Sequence, residues 1–515
     1  MTYVNSKLQP ASFEEFERDT QRGNVVAVTR TITDESWSPV EAFMTVAGKS
    51  HYGFLLESVE GSEGVAKYSF IGADPYMIVR GRGDETLINR SGVFETRSEC
   101  PTEFLLRHFR EHQLANRNDL VPLAGGAVGY LGYKAANWFE PALQRHGAGV
   151  SVPSDGCDGD DALLMFYRTL VVFDRVQRQR QIVSVVFTEE AGSNQNRLRE
   201  LYDNAVRETE RLEKLLAAQA QIPPVSPTTG SRTRQVEKAS VRSNWSREDF
   251  QKAAESVKNR ILAGDCYQVV LSQRFTTDVT AEPISIYRAL RKSNPSPYMY
   301  YLKLGDASII GASPEMLVRC RGEHLDYRPI AGTRRRGTGE VEDRMLAEEM
   351  RGDEKEVAEH MMLVDLGRND LGRVAQFGSV KVKDLMSVER YSKVQHLVSS
   401  LGARLREGCD RFDALAACFP AGTVTGAPKV KAMEIIRELE PSPRGVYAGA
   451  VLYADYANNL DSCIAIRTIV LRNGEASVQA GAGIVADSVP EREYDETVHK
   501  AKALLRAIEM AESES

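Results

Sequence analysis

Short β-prone runs alternating with amphipathic helical stretches, on a chain of 515 residues that is 42% hydrophobic and 27% charged, predict an α+β protein with antiparallel sheet. A third observation organises the prediction. Between residues 217 and 245 a charged helical segment gives way to the Pro-, Ser-, Thr- and Gly-rich stretch AAQAQIPPVSPTTGSRTRQVEKASVRSNW, which reads as a linker near the middle of the chain. We therefore expect an N-terminal unit over residues 1–235 and a C-terminal unit over 246–515.

In the N-terminal unit the β-like runs are NVVAVTR, KYSFIGAD, YMIVRGRG, TLVVFDR and QIVSVVF, and the helical stretches are PTEFLLRHFREHQ and NRLRELYDNAVRETERLEKLLAAQ. The C-terminal unit opens on a well-marked helix. Ser246 is its N-cap with Asp249 at the third position, Phe250, Ala253, Ala254, Val257 and Ile261 form its apolar face, and Gly264 stops it. A strand follows over 267–275, with Gln268 and Ser272 on one face and Tyr267, Val269 and Leu271 on the other. Further strands are expected at ASIIGASPEMLVRC, VYAGAVLYAD, SCIAIRTIVLR and EASVQAGAGIVAD, and helices near 341–371, 410–419, 428–439 and 491–511. No repeat of 20–50 residues is visible.

The net charge of −7 is small, and both signs are interspersed, so neither a nucleic acid nor a membrane surface is an expected partner. No apolar run approaches the roughly 18 residues of a membrane span. The N-terminal segment MTYVNSKLQPASFEEFERD lacks the basic start and apolar centre of a secretion signal, so a cytoplasmic protein acting on small molecules is expected. Seven scattered cysteines, Cys100, Cys157, Cys266, Cys320, Cys409, Cys418 and Cys463, show no metal or redox spacing and read as free thiols.

The most informative chemistry lies in two acidic runs. Glu356 with Glu359, and Glu493 with Glu496, are carboxylates three residues apart, which helical geometry aims the same way. Together they suit a Mg²⁺ ion that keeps waters and meets an anionic substrate; each pair alone reads equally well as a solvated helix face. On the C-terminal helix Tyr494, Val498, Ala501, Leu505 and Ile508 form the expected apolar stripe, with the acids and Lys500 away from it. The loop Phe419-Pro-Ala-Gly-Thr-Val-Thr-Gly-Ala-Pro-Lys429 leads into a helix and exposes backbone N–H groups and hydroxyls suited to a carboxylate or phosphate, or is a structural cap. Arg467 on the strand CIAIRTIV, Lys500, and the backbone at Gly481 and Gly483 extend an anion-binding set; a strand-edge ion pair and a β-bulge are their structural alternatives. His396 suits proton transfer near neutrality or a place in the core. Glu315 follows a Ser-Pro turn at a strand start, where an acid of raised pKa protonates a leaving hydroxyl.

The ordered motifs GDCYQVVLSQRF, NPSPYMYYL, GASPEMLVR, PIAGTRRRG, DEKEVAEHMMLVDLGRNDLGRV, YSKVQHLVS, FPAGTVTGAPKVKAMEII, RGVYAGAVLY, IAIRTIV and AGAGIVADSVPEREYDETVHKAKAL resemble the chorismate-utilising enzymes, on their anthranilate synthase large-subunit branch. The resemblance spans about residues 246–508; LLESVEG, KYSFIGADP and AVGYLGY extend it more loosely into the N-terminal half. It implies a β-sandwich-like core of two mostly antiparallel sheets flanked by helices. It also implies an activity, the conversion of chorismate and ammonia to anthranilate and pyruvate.

Roles follow from the same resemblance. Glu356, Glu359, Glu493 and Glu496 match the Mg²⁺ positions; Thr423 and Gly483 match carboxylate contacts, with Gly481 also placed among the substrate-binding residues; Tyr447 and Arg467 surround the enolpyruvyl side chain; Lys500 adjoins the metal site. Glu315 matches the acid for the ring hydroxyl, and His396 a histidine beneath the ring. Gln268 stands where water-using relatives carry a lysine, and Ala331 of Pro329-Ile-Ala-Gly-Thr333 where aminodeoxychorismate synthases carry one, which favours amination on the anthranilate branch. The chain has no glutaminase segment, so a separate glutamine amidotransferase subunit is the implied partner. A tryptophan feedback site is implied at Ser58, Asn294, Pro295, Ser296, Pro297, Tyr298, Met299 and Cys463. The rival readings are an aminodeoxychorismate synthase and a non-catalytic metabolite-binding regulator; a regulator should have lost some of the four acids, and none is lost.

Overall fold

In a computed structural model, residues 6–33, 38–59, 67–115, 121–145, 159–219, 240–391 and 393–514 are described. Most of the expected linker, residues 220–239, and Cys157 lie outside them. The chain forms two large sheets, of 13 and 12 strands, whose neighbouring strands run antiparallel. From edge to edge the first sheet holds Ser6–Gln9, Val25–Thr33, Gln179–Phe187, Thr169–Asp174, Tyr68–Ala73 and Tyr52–Glu57, then Tyr298–Leu304, Ala307–Ser313, Thr468–Arg472, Glu475–Ile484, Gln268–Asp278 and Arg242–Ser243. The first six come from the N-terminal half. The last six repeat them outward from the centre, in the same chain order.

The second sheet repeats the pattern. Gly126–Leu131, Ala162–Tyr167, Met77–Arg82, Glu85–Arg90 and Val93–Arg97 lie on one side of its centre; Ala450–Asp455, Asn459–Ile464, Met316–Arg321, His324–Tyr327 and Val394–Arg404 lie on the other. The molecule is thus two copies of one long unit related by an approximate two-fold axis. The sequence keeps an echo of it: Ile71-Gly-Ala-Asp-Pro-Tyr-Met77 against Ile310-Gly-Ala-Ser-Pro-Glu-Met316, and Arg168-Thr-Leu-Val171 against Arg467-Thr-Ile-Val470. The repeat is far longer than 20–50 residues, which is why a search at that period is silent.

Each unit changes sheets at two matching places, to which the C-terminal unit adds a brief return to the first sheet at Gly426–Ala427, and the matching crossings correct two strand expectations. The run ASIIGASPEMLVRC is two strands in different sheets, parted at Pro314-Glu315, and SCIAIRTIVLR is likewise parted at residues 465–467. Proline has no N–H for the ladder, and Arg467 takes a left-handed backbone with φ 51°, so neither segment continues as a strand. Arg467 therefore lies at a crossing, off the strand where it was expected.

Apolar side chains from both sheets, among them Phe54, Val128, Phe166, Tyr167, Tyr300 and Val318, fill the space between them. The helices Pro39–Ala47, Gln195–Gln219, Pro283–Ser293 and Pro490–Glu514 cover the outer face of the first sheet through Phe43, Leu212, Tyr287, Leu290 and Leu504. The strands missing from the sequence reading, such as Gly126–Leu131 and Ala162–Tyr167, are buried on both faces and carry no alternation. No helix among the described residues is long and apolar enough to cross a membrane, and the six described cysteines are free.

The central strands leave no spare volume. A β-carbon on Gly311 would sit 2.1 Å from the buried ring of Tyr300, whose hydroxyl is fixed 2.7 Å from Thr468 Oγ1. Gly311→Ala is expected to cost about 1–3 kcal/mol through overpacking. Urea unfolding checks this; an unchanged midpoint would show that the ring has room to move.

Candidate active site

The two crossings of the C-terminal unit are stitched together. Glu315 O accepts from Ile464 N at 3.1 Å, Arg467 O accepts from Ala312 N at 3.1 Å, and Ser313 Oγ donates to Ile464 O at 2.7 Å. This ties the two crossings together where the sheets part, with Glu315 opposite Ile464 and Arg467 opposite Ala312. Glu315 is 7% exposed, and burial pushes its carboxyl up to about 8, against the partial opposition of the Thr423 hydroxyl and the Lys500 charge. It is a protonated acid at neutral pH. The Thr423 hydroxyl faces it but is buried without a well-formed hydrogen bond.

Burial pulls the Arg467 guanidinium below its ordinary range, while the nearby Tyr447 hydroxyl and Glu496 act the other way. Arg467 shares a cavity of about 530 Å³ with Arg492, Asp495, Glu496, His499 and Lys500. Beside it runs the strand Glu475–Ile484, paired with Gln268–Asp278 in unbroken register, Gly483 opposite Val270 and Gly481 opposite Ser272. There is no bulge. The glycines are there for space: a β-carbon on Gly481 would stand 2.7 Å from the Tyr447 hydroxyl, and one on Gly483 2.5 Å from Gln268 Nε2. Lys500 Nζ donates to Gly481 O at 2.9 Å and pairs with Glu496 at 2.6 Å. Gln268 is buried; Tyr267, expected to share a strand face with Val269 and Leu271, precedes the strand and is 74% exposed while those two are buried.

His396 lies on the strand Val394–Arg404, opposite Thr333. Its Nδ1 is 3.0 Å from Gly332 O and 3.1 Å from Thr333 Oγ1; a carbonyl can only accept, so Nδ1 carries the proton and Nε2 is left as an acceptor. Burial and then the Arg467 charge depress its pKa, opposed by the Gly332 carbonyl and Glu389. Gly332 has φ 59°, and a β-carbon there would approach Glu356 Oε2 to 3.1 Å, so one glycine touches both the histidine and the first acid.

The helix expected over 341–371 is two helices, Glu340–Gly352 and Glu354–Gly372. Asp353 breaks it because its carboxylate accepts from Lys355 N at 3.0 Å and Glu356 N at 3.3 Å, capping the second helix at the acids. Asp353→Ala should cost about 1 kcal/mol and fray this turn first, checked by amide exchange at Lys355 and Glu356; unchanged protection there would assign the turn's order to packing.

Glu359 is exposed, yet partial desolvation by the surrounding protein and then the Glu356 charge raise it, with Glu496 adding to the effect. Glu493 is raised by burial, with Glu496 again adding and Ser488 opposing. The charge of Glu496 therefore reaches Glu359 from one helix to the other, and of the four acids Glu496 lines the cavity beside Arg467. The four do not form a closed cage: among the described residues no three acidic, histidine or cysteine side chains converge to hold an ion. Glu356 is instead held by Arg334 at 3.0 Å, a residue that sequence reasoning passed over although its motif PIAGTRRRG was in view. The apolar stripe of the C-terminal helix is also rotated from expectation. Thr497, Ala501, Leu504, Ala507, Ile508 and Ala511 are its buried residues, while Tyr494, Val498 and Leu505 are only partly covered. Small alanines let the helix lie close, and Thr497 meets Gln273 in the core.

A second cavity, of about 170 Å³, lies at the centre of the sandwich between the two units. Ser58, Pro297, Tyr298, Met299 and Cys463 line it, and Glu57 pairs with Met299 across the central strands. The Ser58 hydroxyl is buried there without a partner. Asn294, Pro295 and Ser296 do not line it; they form the loop after the helix Pro283–Ser293, and Ser296 O accepts from Val59 N at 3.4 Å.

A two-sheet fold with a buried protonated acid, an arginine and paired carboxylates on two helices defines the class. The chain belongs to the chorismate binding enzymes, whose family model matches residues 56–506. Within that family it is similar to anthranilate synthase component 1 of Acetivibrio thermocellus, at 44% identity over 95% of this chain and 96% of that protein. Among solved structures it resembles anthranilate synthase component I from Streptococcus pneumoniae TIGR4, with TM-score 0.72 and 34% identity over 92% of this chain and 98% of the other. The menaquinone-specific isochorismate synthase from Escherichia coli shares the fold at TM-score 0.67 and 18% identity, over 96% and 98% of the two chains.

Proposed function

We propose that the chain converts chorismate and ammonia into anthranilate, pyruvate and water. The observation that carries this reading is Glu315, a carboxyl kept protonated by burial beside the Thr423 hydroxyl, within reach of the Lys500 charge and on a crossing bonded to the one that carries Arg467. Ammonia forms a bond to the ring, the ring double bonds shift, and the ring hydroxyl departs as water on the proton of Glu315. Arg467 and Tyr447 hold the enolpyruvyl side chain. His396, through the free Nε2, then moves the proton from the newly aminated ring carbon as pyruvate is eliminated and the ring becomes aromatic.

The four acids suit Mg²⁺. Carboxylates on two helices, mutually repelling and too open for a cage, match a hydrated cation held partly through its waters. When bound, the ion supplies charge neutralisation of the ring carboxylate and assists loss of the hydroxyl. Ammonia comes from glutamine through a separate glutaminase subunit, a reading supported by the name component 1 of the relatives. Within this chain, burial raises the thiols of Cys266, Cys320, Cys418 and Cys463 away from a nucleophilic state. The setting is the cytoplasm.

Purified chain mixed with chorismate, Mg²⁺ and an ammonium salt is expected to yield anthranilate fluorescence and pyruvate in step. Absence of both refutes the enzyme; an aminated product without pyruvate assigns it to the aminodeoxychorismate branch. Tryptophan is the inhibitor assigned to the central cavity, whose lining joins Phe70, Tyr298, Met299 and Tyr453 to the charged Glu57, Arg319 and Asp461 and carries the unpartnered Ser58 hydroxyl. Ser58→Phe fills that space and should weaken tryptophan inhibition about tenfold or more while sparing uninhibited turnover; an unchanged inhibition curve excludes the cavity.

A further inference from the structure

The two-fold repeat gives the active site a counterpart in the N-terminal unit. Pro75-Tyr76 occupies the crossing that Pro314-Glu315 occupies in the other unit, and Arg168-Thr169 that of Arg467-Thr468. Tyr76 and Arg168 meet at a cavity of about 390 Å³, with Phe104, His108, Phe187 and Glu190 in its walls. The Arg168 guanidinium lies 4.9 Å from the ring centres of both Tyr76 and Phe187. It grips the Glu190 carboxylate with both terminal nitrogens, NH1 to Oε2 at 2.9 Å and NH2 to Oε1. The catalytic parts are gone: a tyrosine replaces the acid, its hydroxyl is 2.8 Å from that of Tyr456, and burial pushes its pKa up to about 12.

We propose that this cavity is a second carboxylate-binding site, built on the plan of the active site, in which the chain's own Glu190 fills the place of a ligand carboxylate. A fork-like guanidinium set between aromatic faces recognises a planar carboxylate attached to a ring, so the ligand class is a small aromatic carboxylate such as benzoate. The volume accommodates one. The inference rests on the repeat of the fold, on Arg168 and its aromatic neighbours, and, for the parallel with Arg467, on the function proposed above.

The test is rescue of Glu190→Ala by exogenous carboxylate. Thermal unfolding of the wild type and the variant is followed with potassium benzoate and with potassium chloride of equal ionic strength. Benzoate reaching the active site raises both proteins alike, so the difference between them reports the second cavity. The variant should show a benzoate-induced rise in Tm about twice that of the wild type, and Arg168→Gln in the same background should remove the excess. Fluorobenzoate titration by ¹⁹F NMR decides the matter without the double variant: one more bound equivalent per chain in Glu190→Ala than in the wild type supports the site. Equal Tm shifts with equal stoichiometry overturn it.

Discussion

Glu315→Gln is expected to lower the rate of anthranilate formation about 10²–10⁴-fold at neutral pH, while making the chain no less stable. Glutamine matches the shape and polarity of the protonated acid but cannot release a proton to the departing hydroxyl. The same burial that makes Glu315 an acid sets a pH dependence with a definite sign. Its carboxyl rises from 4.5 when solvated to about 8 in the fold. Between those values the folded chain keeps a proton that the unfolded chain has lost, so this group's contribution to stability falls as pH rises from 4.5 through about 8 and is flat beyond. Glutamine has no such titration. The variant's Tm should therefore gain on that of the wild type between pH 5.5 and pH 8, an instance of a site strained for function. Catalysis follows the protonated form: at fixed free ammonia the wild-type rate should decline above about pH 8. A variant that keeps wild-type turnover, or a wild-type rate still climbing through pH 9 at constant free ammonia, would remove Glu315 from the acid role.

The local parts of this site were readable in the sequence because their physics is local. Ser246 accepts from Asp249 N as its cap pattern requires, and the loop before the helix Lys429–Leu439 stands where its glycines and threonines place it. Glu315 sits one residue before its strand, as the Ser-Pro turn implies. Periodicity failed where a strand is buried on both faces, as at Ala162–Tyr167, and where one apolar run feeds two sheets. At Arg467 the run Ile-Ala-Ile-Arg-Thr-Ile-Val has no break in hydropathy; only the sheet exchange, a long-range choice, turns the arginine into the cleft. Arg334 was equally invisible, since its partners Asp353, Glu349 and Glu356 lie on helices that pack against its strand from later in the chain. The two-fold plan could have been found from the GADPYM and GASPEM echo, but its spacing of 239 residues is set by whole units rather than by any local period.

Glu359→Gln should abolish Mg²⁺-dependent turnover with the fold intact, and its signature is a crossing of stabilities. In the absence of metal Glu359 is crowded, though exposed: partial desolvation, then Glu356, and also Glu496, oppose its charge, with Lys355 and Lys500 as partial relief. Neutralising it removes repulsion, so the metal-free variant should melt at or above the wild type. Mg²⁺ reverses the order. An ion that binds only the folded chain stabilises the wild type by mass action, whereas the variant, short of one carboxylate, should lose about 10–100-fold in affinity and gain little at the same concentration. Glu356 and Glu496 cannot substitute at once, because each is already paired, to Arg334 and Lys500, and must exchange a cation for a cation. Calorimetric Mg²⁺ titration and melts at matched ionic strength read both halves of the crossing. Equal Mg²⁺ affinity in the two proteins, or full turnover of the variant at saturating Mg²⁺, would show that Glu359 is only a crowded surface acid of the cleft.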